Sequence, residues 1–142
     1  MHPNNVPCYA FNVRHASRHL TQFYDHTLAP SGVRVTQLIL LNVLKLKGPL
    51  SIKALAKSLE MDRTTLGRNL QPLERDGLLE MVHSQEDKRR KDVRLSRFGE
   101  EKLAHAMVLW HEAQGRFEER FGKERAQRLL EELRAAAAMV EP

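Results

Sequence analysis

Residues 61–99 constrain the fold of this chain more strongly than any other segment. Their first part has the apolar spacing of a helix, which Asp62 can begin as a capping residue and Gly77 can end in the left-handed conformation. Two short strands are predicted to follow, at Leu78–His83 and Val93–Ser96, with a charged tip between them. A helix beside a basic β-hairpin can place one element in each groove of DNA, so sequence-reading DNA binding is the first hypothesis.

Helices are predicted on both sides of this segment from the spacing of apolar residues and from their Pro, Gly and capping residues. Thr36 is expected to cap the second helix and Ser51 the third. Pro72 lies inside the helix that follows Asp62 and cannot donate to the Arg68 carbonyl, so we expect a kink or a short 3₁₀ stretch there. The predicted helices are about 6–28, 36–47, 52–61, the interval between Asp62 and Gly77, 97–121, and a last helix after Gly122.

The helices near the two ends of the chain carry broad apolar stripes. In the helix of 97–121 the stripe includes Leu103, Trp110 and Phe117, and the middle unit is too small to cover all such faces. A second copy of the chain is the simplest partner for them, so we expect a homodimer. The alternative is that these helices pack only on their own middle domain.

Composition narrows the class of protein. The 142 residues, 42% of them hydrophobic, predict one domain, and no apolar run approaches the ~20 residues of a membrane span. The start of the chain lacks a signal-peptide pattern and Cys8 is the single cysteine, so we expect a cytoplasmic location, no internal disulfide and no membrane partner. The net charge is +5; residues 36–60 hold four Lys and one Glu, and residues 61–98 hold nine basic and seven acidic residues. This excess favours a nucleic-acid partner, with a solvated, mildly basic surface as the alternative.

Three spaced motifs point to one family. The first lies in the hairpin and matches the pattern Asp-x-Arg, then Val-x-Leu-Thr, then Gly, except that this chain has Ser96 where the pattern has Thr. The motifs are Asp87-Lys88-Arg89 with Val93, Leu95, Ser96 and Gly99; LERDGLL at 73–79; and Thr36-Gln37 before LILL. With these motifs in this order, the chain resembles the MarR family of winged helix-turn-helix regulators over about residues 10–140.

The resemblance implies a mainly α fold with a small β-hairpin wing (α+β). A single MarR-like domain would cover residues 1–142, with a winged helix-turn-helix DNA-binding part at 36–98 and a helical dimerisation part at 6–30 and 99–140. It also implies a triangular homodimer whose winged domains each bind half of a palindromic operator in double-stranded DNA. Such proteins usually repress transcription, and most release DNA on binding a small molecule or on oxidation.

The residues that follow Asp62 are candidates for the major groove. With Asp62 as the cap, the first turn of the helix presents its N–H groups and polar side chains to a phosphate or a base edge. Arg68 lies one turn further on the same face and can bind O6 and N7 of guanine, worth ~1–3 kcal/mol, and Asn69 could read adenine or contact phosphate. The alternatives are a helix-start preference for the threonines and a surface salt bridge for Arg68. The candidate residues are Arg63, Thr64, Thr65, Arg68 and Asn69.

The charged tip of the hairpin carries the second set of candidates. We expect Arg89 to enter the minor groove, where an arginine responds to groove width, and the resemblance implies that Asp87 braces it. The alternative is a hairpin tip that is merely soluble. The expected phosphate contacts are Lys88, Arg90 and Lys91 in the tip, and Ser51, Lys53 and Lys57 at the third helix.

Polar residues of the first helix are candidates for an effector site, because proteins of this family usually bind ligands between the dimer helices and the winged domain. Arg18 could bind a carboxylate, such as that of an aromatic acid. The alternative is that these side chains form salt bridges between subunits. The candidates are Asn12, Arg14, His15, Arg18 and His19.

Cys8 and two histidines leave other modes of response open. His15 and His19 are one turn apart, which suits two ligands of one Zn²⁺, but Cys8 lies ~10 Å further along the helix axis and cannot share that ion. Organic-hydroperoxide sensors of the family carry a reactive cysteine about two residues further downstream, so Cys8 is either a redox sensor or an inert small residue. We expect no metal, no cofactor and no enzyme, since no phosphate loop, HExxH or GxSxG motif occurs. A winged protein-interaction module without DNA binding is the alternative from another class.

Overall fold

The computed structural model describes residues 6–140. Over this range it is mostly helical with one small antiparallel sheet, as the sequence predicts. The elements in chain order are α1 (Tyr9–Leu28), a 3₁₀ turn (Ala29–Ser31), α2 (Val35–Lys47), β1 (Leu50–Ser51), α3 (Ile52–Ser58), α4 (Arg63–Arg75), β2 (Leu79–His83), β3 (Lys91–Leu95), α5 (Arg97–Phe121) and α6 (Lys123–Met139).

The starts of the first two helices differ from the predicted ones. Helix α1 begins at Tyr9 rather than near Val6, because the backbone before Tyr9 is extended and the Cys8 carbonyl accepts the first helical hydrogen bond. Helix α2 is not capped by Thr36. The Arg34 amide instead donates to Gln37 Oε1 at 3.0 Å, which moves the helix start to Val35.

The junction between α1 and α2 is a buried turn. Ser31 is fully buried; its hydroxyl donates to the Leu28 carbonyl at 2.6 Å and accepts from the Val33 amide at 3.1 Å. Asp25 of α1 reaches across the turn and accepts from the Val35 amide at 2.8 Å, so one helix caps the next. Among the described helices none alone is long and apolar enough to cross a membrane, although α1 and α2, bent by 67° at this turn, reach that length and composition together.

Helices α3 and α4 begin at the predicted caps. Ser51 Oγ accepts from the Ala54 amide at 3.1 Å, and Asp62 Oδ1 accepts from the Thr65 amide at 2.7 Å. Helix α4 stays α-helical through Pro72, so the expected 3₁₀ stretch is wrong. Pro72 lies within the last turn, where its missing donor affects a single carbonyl, and Gly77 then turns the chain with φ +79°.

The sheet has one strand more than the sequence predicts. The order is β1–β3–β2, and Val93 of the central strand lies opposite Leu50 on one side and Met81 on the other. Strand β1 has only two residues, too few for a recognisable alternation. Strand β3 runs over Lys91–Leu95, two residues further into the tip than predicted, because Lys91 and the residue after it pair with the end of β2.

The hydrophobic core lies in the middle unit and against the first half of α5. Leu41, Leu55, Leu66, Leu73 and Val93 are fully buried there. Helix α6 has no buried residue, and α1 buries only two side chains near its end. The apolar side chains of the terminal helices therefore remain largely in solvent in a single chain. Exposed examples on α1 and α6 are Tyr9, Phe11, Val13, Leu130, Leu133 and Met139.

Candidate nucleic-acid interface

Helix α4 presents one apolar and one polar face. Leu66, Leu70 and Leu73 are buried against the core, so the intervening side chains are directed to solvent. All five candidates on this helix are exposed. They are Arg63, Thr64, Thr65, Arg68 and Asn69.

The cap at the start of α4 uses both polar groups of Thr65. Its amide donates to Asp62 Oδ1 at 2.7 Å and its hydroxyl donates to Oδ2 at 2.9 Å. These two hydrogen bonds, with a smaller contribution from Arg68, hold the pKa of Asp62 below its ordinary value. Thr65 is thus engaged in the cap, whereas Arg63 and Thr64 project from the same turn. Asn69 Nδ2 lies 3.4 Å from Met61 Sδ, a weak contact that fixes little.

Helix α3 supplies three further candidates. Ser51 caps α3, because its hydroxyl oxygen accepts from the Ala54 amide. Lys53 and Lys57 lie one turn apart and are exposed, with their ammonium groups in solvent.

We call residues 79–95 the wing and residues 84–90 its tip. At the tip, Asp87 Oδ1 accepts from the Arg89 amide at 3.0 Å and lies 4.0 Å from Arg89 Nε. The Arg89 side chain is 97% exposed, so it projects from the tip. Asp87 and Arg89 are thus adjacent, as the resemblance implies.

Arg90 differs from its basic neighbours. Its Nε donates to Asp92 Oδ1 at 3.2 Å, its Nη2 donates to Ser84 Oγ at 3.1 Å, and Nη2 lies 3.6 Å from Glu86 Oε2. Lys88 and Lys91 are exposed. From the sequence, Arg90 was expected to contact phosphate like Lys88 and Lys91, and the roles of Ser84 and Asp92 were missed. The alternation of strand side chains was the available signal, since Arg90 and Asp92 share a face that Lys91 does not.

A compact junction holds the wing against α4 and α5. Ser96 Oγ donates to the Gly77 carbonyl at 2.5 Å and accepts from the Gly99 amide at 2.9 Å, and the Ser96 amide donates to the Leu78 carbonyl at 3.1 Å. A Cβ at Gly99 would lie 2.1 Å from the Leu78 carbonyl oxygen. Residue 99 must therefore be glycine for α5 to approach so closely, which the family motif alone did not explain.

The effector candidates on α1 are only partly brought together. Asn12 Nδ2 donates to the Val6 and Cys8 carbonyls at 2.7 and 2.8 Å, so its side chain fixes the chain before α1. The His15 and His19 rings are 4.5 Å apart, while Arg14 and Arg18 are exposed. No group of three or more His, Cys, Asp or Glu within residues 6–140 is arranged to hold a metal ion, and Cys8 is exposed.

His19 alone of these candidates lines a cleft between α1 and α5. The cleft has a volume of about 300 Å³, and Phe23, Phe117 and Arg120 lie in its wall. A smaller cleft of about 170 Å³ lies beside it, where the Tyr24 hydroxyl donates to the Gln114 side chain. Burial and, less strongly, the Glu118 carboxylate raise the pKa of Tyr24 above its ordinary value.

Comparisons with known proteins agree on one family. A model described as the MarR family matches residues 31–90. The transcriptional regulator MosR of M. tuberculosis, solved in complex with DNA, is 34% identical; the alignment covers 94% of this chain and 99% of that chain, with a TM-score of 0.78. A search of curated proteins found no match.

Two more distant structures share the fold. The repressor CouR bound to a 23-mer DNA duplex is 24% identical over 92% of each chain, with a TM-score of 0.82. The regulator PcaV of Streptomyces coelicolor, solved with its natural ligand, is 19% identical over 95% of each chain, with a TM-score of 0.84. At these identities the likeness is evidence of the winged-helix architecture alone.

Proposed function

Because this chain belongs to the MarR family of transcriptional regulators, we propose that it is a DNA-binding repressor that acts as a homodimer on a palindromic operator. The observation that carries this proposal is the 34% identity to MosR, a regulator solved with DNA, across nearly the whole of both chains. A regulator of this kind acts in the cytoplasm, where the DNA is, and needs no catalytic activity of its own.

Helix α4 is proposed as the recognition helix. Its polar face is free of core contacts, and its N-terminal turn is fixed by the Asp62 cap. Arg63, Thr64 and Arg68 are then placed for base edges, with Asn69 beside them. The planar fork of Arg68 suits guanine, and Thr65 supports the cap.

The wing is proposed to extend the contact into the minor groove. Arg89 projects from the tip with Asp87 as its brace, and Lys88 and Lys91 are exposed for phosphates. Lys53 and Lys57 add sequence-independent contacts to the DNA backbone from α3, whose first turn is capped by Ser51.

The dimer is proposed to form through residues 6–30 and 99–140, with residues 36–98 as the DNA-binding part. The support is energetic, since no residue of α6 is fully buried within its own chain and the apolar Leu130 and Leu133 on it are exposed. Covering such faces with a second copy removes apolar surface from water and duplicates the DNA-binding unit.

We further propose that a small molecule releases the protein from DNA. CouR has also been solved with p-coumaroyl-CoA and PcaV with its natural ligand. In this chain the cleft lined by His19 and Arg120 combines aromatic walls with a guanidinium, which suits an aromatic carboxylate. The test titrates benzoate and its hydroxylated analogues against the protein–DNA complex and measures the release of DNA. The variants Arg18→Ala and Arg120→Ala then measure how much each arginine contributes to that response.

The decisive experiment selects bound fragments from a random DNA pool and then varies the salt. Selection should return two inverted half-sites with a fixed spacing. A dimer that makes ~6–10 phosphate contacts should lose ~10³–10⁵ in affinity between 50 and 200 mM salt. A set of fragments without a palindrome would argue against the symmetric dimer, and a flat salt response would overturn groove binding altogether.

A further inference from the structure

We infer that Arg90 is a positioning residue of the wing rather than a phosphate ligand: with Ser84 and Asp92 it fixes the tip from which Arg89 projects. The inference deepens the proposed function and rests on it, because the position of Arg89 matters only if Arg89 contacts DNA. It departs from the sequence-based expectation that Arg90, like Lys88 and Lys91, contacts phosphates.

The guanidinium of Arg90 joins the two sides of the hairpin. Nη2 reaches Ser84 Oγ across the tip at 3.1 Å, while Nε reaches Asp92 Oδ1 along β3 at 3.2 Å. Since both contacts come from one planar group, they fix its orientation as well as its distance. The third contact, with Glu86, is longer and solvent-exposed and contributes little.

Ser84 is the point on which the turn is built. Its amide donates to the Arg90 carbonyl at 2.8 Å, and its hydroxyl oxygen accepts from the Glu86 and Asp87 amides at 3.2 and 3.4 Å. Only 4% of Ser84 is exposed. The Arg90 side chain therefore binds the same oxygen that shapes the backbone leading to Asp87, which in turn holds Arg89.

Asp92 explains why Arg90 stays in place. It is 8% exposed, and Arg90 supplies its charged partner. A buried carboxylate without a charged partner is destabilising. If Arg90 turned outward to a phosphate, the Asp92 carboxylate would be left buried without its partner. Arg89, at 97% exposure, has no comparable restraint.

The test uses Asp92→Ala, because the two roles of Arg90 predict opposite signs. Removing a negative charge close to DNA strengthens binding if Arg90 is only a phosphate ligand, since the arginine is then released. If Arg90 positions the tip, Asp92→Ala weakens binding, by roughly tenfold. The probe is the duplex that the wild-type protein selects most strongly from a random pool, and affinity is measured by fluorescence anisotropy at one salt concentration.

Two further variants separate positioning from charge and from general instability. Arg90→Lys keeps the charge but loses the fork, so it should bind as weakly as Arg90→Ala; retention of wild-type affinity would overturn the inference. The double variant Arg89→Ala with Asp92→Ala should be within about twofold of Arg89→Ala alone, because Asp92 acts through Arg89. Additive losses would mean that Asp92→Ala acts by some other route, and would also overturn it.

A measurement on the free protein tests the contacts of Arg90 separately from the proposed function. In the free protein the Arg90 Nε–H should give a resolved, slowly exchanging ¹⁵N–¹H resonance that survives Arg89→Ala and is lost in Asp92→Ala and Ser84→Ala. Rapid exchange in the wild type would overturn the positioning role of Arg90 whether or not DNA binds. If instead the resonance is protected and the wild type selects no duplex, the proposed function fails while the contacts of Arg90 with Ser84 and Asp92 stand.

Discussion

At the scale of single residues, Gly99 marks a close approach of α5 to the Leu78 carbonyl. An added Cβ would lie 2.1 Å from that oxygen, so Gly99→Ala must displace backbone rather than a flexible side chain. We expect a loss of about 1–3 kcal/mol in the free energy of unfolding, measured by urea denaturation. Gly115→Ala in the same helix is the control, because its Cβ meets nothing within 4 Å and should stabilise by up to ~1 kcal/mol. Equal behaviour of the two variants would contradict the close contact.

Arg89 provides a residue-scale prediction about DNA. An arginine in a minor groove responds to the narrow width and strong potential of A·T-rich sequence. Arg89→Ala should therefore reduce affinity more for an operator with A·T-rich flanks than for one with G·C-rich flanks, by anisotropy at fixed salt. Lys88→Ala is the control, and its loss should be the same on both flanks. Equal losses for Arg89→Ala on the two flanks would refute shape reading.

Residues whose role depends on near neighbours in sequence were predictable, and those whose role depends on pairing were not. Asp62, Ser51 and Gly77 act on the next one to four residues, so their capping and turning could be inferred from spacing. The contact of Arg90 with Ser84 depends on the hairpin register, which the sequence leaves open by a residue or two.

At the scale of elements, Ser96 joins three of them. Ser96 directly follows β3. Its hydroxyl donates to the Gly77 carbonyl just after α4 and accepts from the Gly99 amide in the first turn of α5. Ser96→Ala should cost about 1–3 kcal/mol in the free energy of unfolding, because it removes a helix cap and the donor to the Gly77 carbonyl. Ser96→Thr keeps the hydroxyl and should stay within about 1 kcal/mol of the wild type. Loss of stability in both variants would point to crowding at this position instead.

The Asp62 cap makes the stability of α4 depend on pH. Hydrogen bonds from Thr65 lower the folded-state pKa of Asp62 below the unfolded value of 3.8. Its contribution is therefore present above pH 3.8 and is lost as the pH falls through the lower folded value. The Tm deficit of Asp62→Ala should be constant near neutral pH and shrink on acidification below that point. Asp62→Asn caps without titrating, so its Tm should exceed that of Asp62→Ala by a pH-independent margin.

Elements were predicted well where periodicity is long and poorly where it is short. The 25-residue α5 was predicted with its observed limits, whereas the two-residue β1 has no pattern of its own and exists because β3 offers it a partner. The start of α2 was predicted wrongly, with Thr36 as the cap. The Gln37 side chain, inside the first turn, instead accepts from the Arg34 amide at the start of the helix.

At the scale of the whole molecule, the exposed face of α6 predicts assembly. Leu130 and Leu133 are each 42% exposed, and placing carboxylates there opposes burial against a second copy. The variant Leu130→Asp with Leu133→Asp should sediment as a monomer and lose about 10²–10⁴ in operator affinity, because two half-sites are no longer bound together. Leu46→Asp on α2, at 76% exposure, is the matched control and should remain a dimer. A dimer that survives the double change would place the interface elsewhere.

The junction at Ser96 and Gly99 has a mechanical consequence. Because the first turn of α5 is hydrogen-bonded to the end of α4, a tilt of α5 would carry the proposed recognition helix α4 with it. Helix α5 has 25 residues and is about 37 Å long, so a tilt of about 5° displaces one end by roughly 3 Å relative to the other. In the proposed dimer, equal tilts of the two copies of α5 would change the distance between the two copies of α4 and hence their fit to successive major grooves.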